Sequence, residues 1–183
     1  MQPLDPEVPP TGLERRVFAM LRMLTCMNVT ARGGVALHGA TVERDGRAIV
    51  FVGRRRAGKT TLVRRLPEGM RSLGDDLALL LPTGDGFVAH GSPFTGRERT
   101  AAELGAAPLH RVCVIEQGER TIATPLGARD ATRELLRRAF LHVDAPSERQ
   151  RVVDATLRLV ARVPVLRVTI HLETSPWTLE ALS

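Results

Sequence analysis

Residues 51–61 read FVGRRRAGKTT, and within them Gly53, Gly58, Lys59 and Thr60 carry the pattern Gly-x4-Gly-Lys-Ser/Thr. Each residue type in that pattern has a physical task. Glycines let backbone N–H groups turn inward around phosphate oxygens, and the N-terminus of a following helix adds its partial positive charge. A lysine reaches the β- and γ-phosphates as a compact point charge, a task a forked guanidinium performs poorly. The threonine hydroxyl is placed to ligate Mg²⁺. Composition isolates the lysine: of 26 basic residues, Lys59 is the one lysine and the other 25 are arginine. In a chain this long a chance match is on the order of one per cent. An apolar strand before the loop and a helix after it supply the context that phosphate binding requires.

Two further groups could do chemistry. Asp75 and Asp76 lie sixteen and seventeen residues beyond Lys59, between Gly74 and the apolar run LALLL. A phosphate loop needs a carboxylate for its Mg²⁺, and paired acids at a strand end can divide the roles of metal ligand and general base. The plainer reading is an Asp-Asp turn or a helix cap. His38, in ALHGATV, lies fifteen residues ahead of Gly53. Alone in an apolar strand, it reads as a core residue as readily as a catalytic one.

The surrounding sequence supplies elements to hold these residues. From Thr11, apolar residues at Val17, Met20, Leu21 and Leu24 have helical spacing. Strands over 34–43 and 47–52 flank Asp45-Gly46, a favoured hairpin turn. The second strand runs into the loop, and KTTLVRRL continues as a helix to Pro67. GMRSLGDDLALLL is a strand that carries the aspartates, PTGDG turns the chain, and FVAHGS returns. Residues 91–108 read as a loop, in which Arg97 and Arg99 could clamp phosphate or substrate or belong to a plain solvated loop. LHRVCVIEQ and RTIATPL are strands, helices are expected at 128–143 and 147–162, VPVLRVTIHL is a late strand, and SPWTLEALS is a short helix with proline in its first turn. The expected fold class is α/β, a P-loop domain with a mixed, partly antiparallel sheet flanked by helices. Residues 1–10 are a flexible lead and 11–183 form a single domain.

Composition narrows the function classes. With 43% apolar residues the chain can bury a core, and five Phe, one Trp and no Tyr leave it no base-stacking platform. The net charge of +6 is spread along the chain, so nucleic-acid binding is disfavoured against a solvated arginine-rich surface. Cys26 and Cys113 are too few for a disulfide framework and lack metal-ligand spacing. With neither a leader-like run nor a stretch of roughly 18 apolar residues, the expectation is a cytoplasmic protein with no membrane partner.

Taken together, LHGATVERDGRAIVFVGRRRAGKTTL and RSLGDDLALL resemble the catalytic domain of the HPr kinase/phosphorylase family, which has a histidine-bearing strand, a hairpin, a P-loop and an Asp-Asp pair in this order. GKTT and LGDD also resemble the nucleotide-binding core of ATP-dependent phosphoenolpyruvate carboxykinase, whose fold that family shares. The resemblance is clear over residues 34–81. It implies ATP and Mg²⁺ as cofactors, with Gly53, Ala57, Gly58, Lys59, Thr60 and Thr61 around the phosphates and Thr60 and Asp76 at the metal. It implies Asp75 as the base that takes a hydroxyl proton, supported by His38, with Lys59 on the transferred phosphate. The expected activity is transfer of the γ-phosphoryl group to a hydroxyl, on a protein or peptide Ser/Thr or on a small molecule. The alternative is a catalytically inactive nucleotide-binding module that acts as a switch or interaction partner. HPr kinases are typically oligomeric, which leaves a homo-oligomer open. Arg54, Arg55 and Arg56 stand where the family has small residues, and they could strengthen the potential over the phosphates, reach an acidic partner, or crowd the loop.

Overall fold

The computed structural model describes residues 12–94, 103–141, 145–171 and 177. Helix α1 (Gly12–Ala31) leads into β1 (Val35–Arg44), which turns through Asp45-Gly46 into β2 (Arg47–Gly53). Both turn residues have positive φ, 50° and 75°, the conformation that matches the twist of a two-residue hairpin. After the loop come α2 (Lys59–Arg64), β3 (Met70–Gly74), β4 (Leu77–Thr83) and β5 (Gly86–His90). Strands β6 (Ala106–Gln117) and β7 (Ile122–Pro125) follow, then α3 (Ala128–Leu136), α4 (Pro146–Arg162) and β8 (Val165–Ile170).

All eight strands join one mixed sheet, which bends so far that β2, β1, β4, β5 and β6 close on themselves through a parallel β2–β6 pairing. The fold class expected from the sequence is therefore the one observed: a mixed, partly antiparallel sheet flanked by helices. Strands β1 and β6 each serve two neighbourhoods. Along its outer half, Gly39–Arg44, β1 pairs with β2, while its inner half, Val35–His38, pairs with β4. The Asp75-Asp76 pair does not lie within a single strand, as expected, but at the bend between β3 and β4. Those two strands lie end to end along one edge of β1, with Thr41 opposite Gly74 and His38 opposite Leu77.

Strand β2 reads as the unbroken apolar run AIVFV because both of its faces are covered. Ala48, Val50 and Val52 face the enclosed core with Leu37, Leu80, Leu135 and Leu159. Ile49 and Phe51 face the opposite way, among Leu62, Val63 and Trp177, whose ring meets Phe51 edge-on at 5.3 Å. Each such fully buried side chain contributes on the order of 2 kcal/mol. On α4, Val152, Ala155, Thr156 and Leu159 form the buried stripe, and Pro164 lies just past the C-cap Val163.

One helix boundary is corrected. Helix α3 ends at Leu136 rather than near 143, because residues 138–140 leave the helix to pair with β1: the His38 N–H donates to the Arg138 carbonyl at 2.8 Å and the Phe140 N–H to the Ala36 carbonyl at 2.9 Å. Backbone pairing where β2 has ended outweighs helix propensity here. The helix expected from Thr11 is present as α1, and the apolar residues that mark it stay half-exposed. Cys26, Val29 and Thr30 are buried, whereas Val17, Met20, Leu21 and Leu24 are 43–50% exposed. At about 100° per residue, Leu24 and Cys26 lie on opposite sides. Residues 1–10, Arg97 and Arg99, and the closing segment apart from Trp177 lie outside the described residues.

Candidate phosphate and phosphoryl-transfer site

Strand β2 delivers the loop to the edge of the parallel β2–β6 pair, the kind of strand end at which open α/β sheets bind ligands. Gly53 is the last paired residue, and no side chain fits there. A Cβ would sit 2.8 Å from the Ile115 carbonyl oxygen and 3.0 Å from the Ala57 Cβ. Gly58 adopts φ +104°, open to glycine and strained for other residues, and α2 starts at the next residue. The turn is braced from β6, where the Gln117 amide donates to the Arg56 carbonyl at 3.0 Å.

Lys59 is 8% exposed, and its Nζ donates to the carbonyls of Gly53 (3.0 Å) and Arg54 (3.3 Å). The ammonium thus lies inside its own loop. Burial pulls its pKa below the ordinary lysine value, the negative charge of Asp76 acts the other way, and Arg138 adds to the lowering. Thr60, next on α2, is half-buried.

His38 owes its availability to a gap between helices. On the face of β1 that carries Ala36, His38 and Ala40, Ala36 is covered by the α1 cluster and Ala40 by the α2 cluster. His38 falls between the two clusters, and its side chain stays 40% exposed. Its Nδ1 lies 3.1 Å from the Asp76 carbonyl and 3.1 Å from Asp76 Oδ1. A carbonyl only accepts, so Nδ1 carries a proton, and in the neutral imidazole Nε2 is the acceptor.

The carboxylate beside His38 is therefore Asp76, not Asp75 as expected. The bend between β3 and β4 turns Asp76 toward the His38 strand, whereas Asp75 is 5% exposed and does not line the pocket described below. The second oxygen of Asp76 is held by Arg22 of α1, whose Nη1 lies 2.6 Å from Oδ2 and whose guanidinium stacks 4.6 Å over the Phe140 ring. Burial pushes the Asp76 carboxyl up, but the His38 hydrogen bond and the Arg22 charge outweigh it, and the net pKa lies below the ordinary aspartate value.

Arg22 and the 137–140 segment were not legible as site residues, because nothing in the sequence brings α1 and the end of α3 to His38. The backbone bonds of residues 138–140 to β1 bring the end of α3 there, and Arg22 of α1 stacks on Phe140. A pocket of about 710 Å³ opens between the loop and that segment, lined by Gly53, Arg54 and Arg55 on one side and by Arg137, Arg138 and Phe140 on the other. His38, Asp76 and Arg22 also line it.

The family model described as "SynChlorMet cassette protein ScmC" matches residues 12–179. The chain belongs to that family. No curated protein matches it. Among solved structures, the HPr(Ser) kinase/phosphatase from Coxiella burnetii matches with a TM-score of 0.44 and 13% identity, over 80% of this chain and 87% of that one. Likeness at that level assigns neither activity nor ligand to this member of the ScmC family. No helix among the described residues is long and apolar enough to cross a membrane.

Proposed function

We propose that this chain binds Mg·ATP on the 53–61 loop and transfers the γ-phosphoryl group to a hydroxyl on a protein, peptide or small molecule. One observation carries the reading: the single lysine of the chain is buried in the loop, within electrostatic reach of the carboxylate that holds His38. Gly53, Ala57, Gly58 and Thr61 shape the loop, and Lys59 exchanges its two carbonyl partners for phosphate oxygens. Once Arg22 leaves Asp76 Oδ2, that oxygen and the Thr60 hydroxyl would be donors suited to a hard divalent ion, and phosphates and water would complete the shell. Bound Mg²⁺ supplies charge neutralisation on the phosphates.

In this reading the acceptor proton leaves through the His38–Asp76 pair. His38 Nδ1–H donates to Asp76, and Nε2 accepts the hydroxyl proton while Asp76 steadies the imidazolium. This replaces Asp75, the base implied by the family resemblance. Phosphoryl transfer suits such a set because its catalysis is mostly positioning and charge neutralisation.

The test is calorimetric titration of ATP, with and without Mg²⁺, into the wild type and Lys59→Ala. Mg²⁺-dependent binding that the variant loses supports the reading. Absence of binding to the wild type overturns it.

A second reading is favoured by one contact. Arg22 occupies the Asp76 oxygen that a metal would need, as in a nucleotide-binding module that does not transfer phosphate and serves as a switch or partner. It predicts ATP binding without turnover on any acceptor.

A further inference from the structure

The pocket between the loop and the 137–140 segment holds more positive charge than its own acids neutralise. Five arginines line it, Arg22, Arg54, Arg55, Arg137 and Arg138, against two acidic residues, Asp76 and Glu134. Both acids are already engaged. Asp76 is bound by Arg22 and His38, and Glu134 meets Arg138 at 2.6 Å and Arg137 at 3.4 Å. The formal surplus is three positive charges, five minus two, with histidine counted neutral.

The far wall is also built rather than merely charged. The Arg138 side chain is 11% exposed, fixed by Glu134 Oε2 and by the Glu134 carbonyl, each at 2.6 Å. Its backbone carbonyl is bonded to the His38 N–H. Its Nε, like the Nε of Arg22, is buried without a hydrogen-bond partner. Arg137 beside it has a side chain that is 59% exposed and meets Glu134 at 3.4 Å. A concave surface with surplus, partly desolvated guanidiniums concentrates anions and suits carboxylate or phosphate through its forked donors.

We infer that the hydroxyl acceptor is itself an anion, carrying its own carboxylate or phosphate, which Arg137 and Arg138 hold across the pocket from the loop. The inference rests on the transfer reading above and adds the substrate class. The nucleotide's phosphates belong to Lys59 and the loop. The second anion lies on the His38 side, which places the hydroxyl beside Nε2. At about 710 Å³ the pocket is in the range that takes a small molecule or the acidic end of a larger one.

The experiment is calorimetry with two matched pairs of probes, 3-hydroxypropionate against 1,3-propanediol and glycerol 3-phosphate against glycerol. Each probe is titrated into the wild type with and without a non-hydrolysable Mg·ATP analogue. At least one anion should bind tenfold or more tighter than its neutral partner, in the presence of the analogue. The pair that discriminates tells carboxylate from phosphate. Arg137→Ala, exposed enough to fold normally, should erase the difference. Arg133→Ala, on the same helix but paired with Asp130 outside the pocket, should keep it.

Equal binding of charged and neutral probes overturns the inference. So does an anion that the analogue displaces, since that anion would be on the nucleotide's own subsite. Failure of the analogue itself to bind is a failure of the nucleotide reading, and the titrations without analogue still decide the anion subsite.

Discussion

Removal of Arg22 from Asp76 tests the electrostatics on which the site is built. The two side chains are 22% and 17% exposed and 2.6 Å apart, between the surface and buried regimes. Exposed pairs yield about 0.2–1 kcal/mol, and breaking a buried pair costs about 3–5 kcal/mol. Unit charges about 4 Å apart at an effective dielectric of about 20 attract by about 4 kcal/mol. Partial desolvation of both groups cancels roughly half of that, which leaves a coupling of about 2 kcal/mol.

The assay is a double-mutant cycle in urea at pH 7, with Arg22→Met, Asp76→Asn and the double variant. The cycle removes the Arg22–Phe140 stacking, because that contact is lost equally with either residue at position 76. The pH dependence has a fixed sign. Asp76 is depressed in the fold, so its contribution is fully present above the ordinary aspartate value near 3.9 and is lost as the pH falls through the lower folded value. The stability gap between wild type and Asp76→Asn should narrow on acidification. A coupling under about 0.5 kcal/mol, or a gap that widens toward acid, refutes the reasoning.

Other outcomes follow from single contacts. Gly53→Ala drives a methyl into the Ile115 carbonyl and should cost about 2 kcal/mol in chemical denaturation, with loss of ATP affinity as the loop shifts. His38→Gln should lower phosphoryl transfer by about 100-fold or more while ATP affinity, read by calorimetry, is kept. Asp75→Asn, in contrast, should keep transfer, and its loss there with His38→Gln active would return the base to Asp75. Burial pushes the Cys26 thiol up to about 11 and Cys113 to about 12, so neither should react with a disulfide reagent at pH 8 until urea unfolds the chain.

The parts of the fold that the sequence made legible are those whose signals are local. The Asp45-Gly46 hairpin, the two-faced run of β2 and the glycine loop each carry their conformational reason within a few residues. The parts that stayed hidden depend on partners distant in sequence. His38 looked like a core residue because its strand is apolar. It is half-exposed only because α1 and α2 cover the residues on either side of it and leave the gap. Likewise, RELLRRAF has helical composition, and only the open edge of β1 draws Arg138 and Phe140 out of α3. Arg22 carries no signal at all in a chain with 25 arginines. Spacing marks Asp75 and Asp76 as a pair, but which one turns toward His38 is decided by the bend, which periodicity does not encode.

That bend has a consequence for how the chain can change length. Strands β3 and β4 share one edge of β1, and the two aspartates bridge them without a loop. The β3 register already skips Leu73, with Gly74 opposite Thr41 and Ser72 opposite Val42, so a further added or deleted residue there would shift a strand rather than be absorbed. It would turn each side chain of one strand to the opposite face, moving Ala78 and Leu80 to where Leu77 and Leu79 now pack. The Gly84-Asp85 turn, at the exposed tip of the β4–β5 hairpin, can absorb such a change. The acidic pair is thus open to substitution but closed to insertion, so its chemistry can be re-engineered one side chain at a time while its place in the sheet is kept.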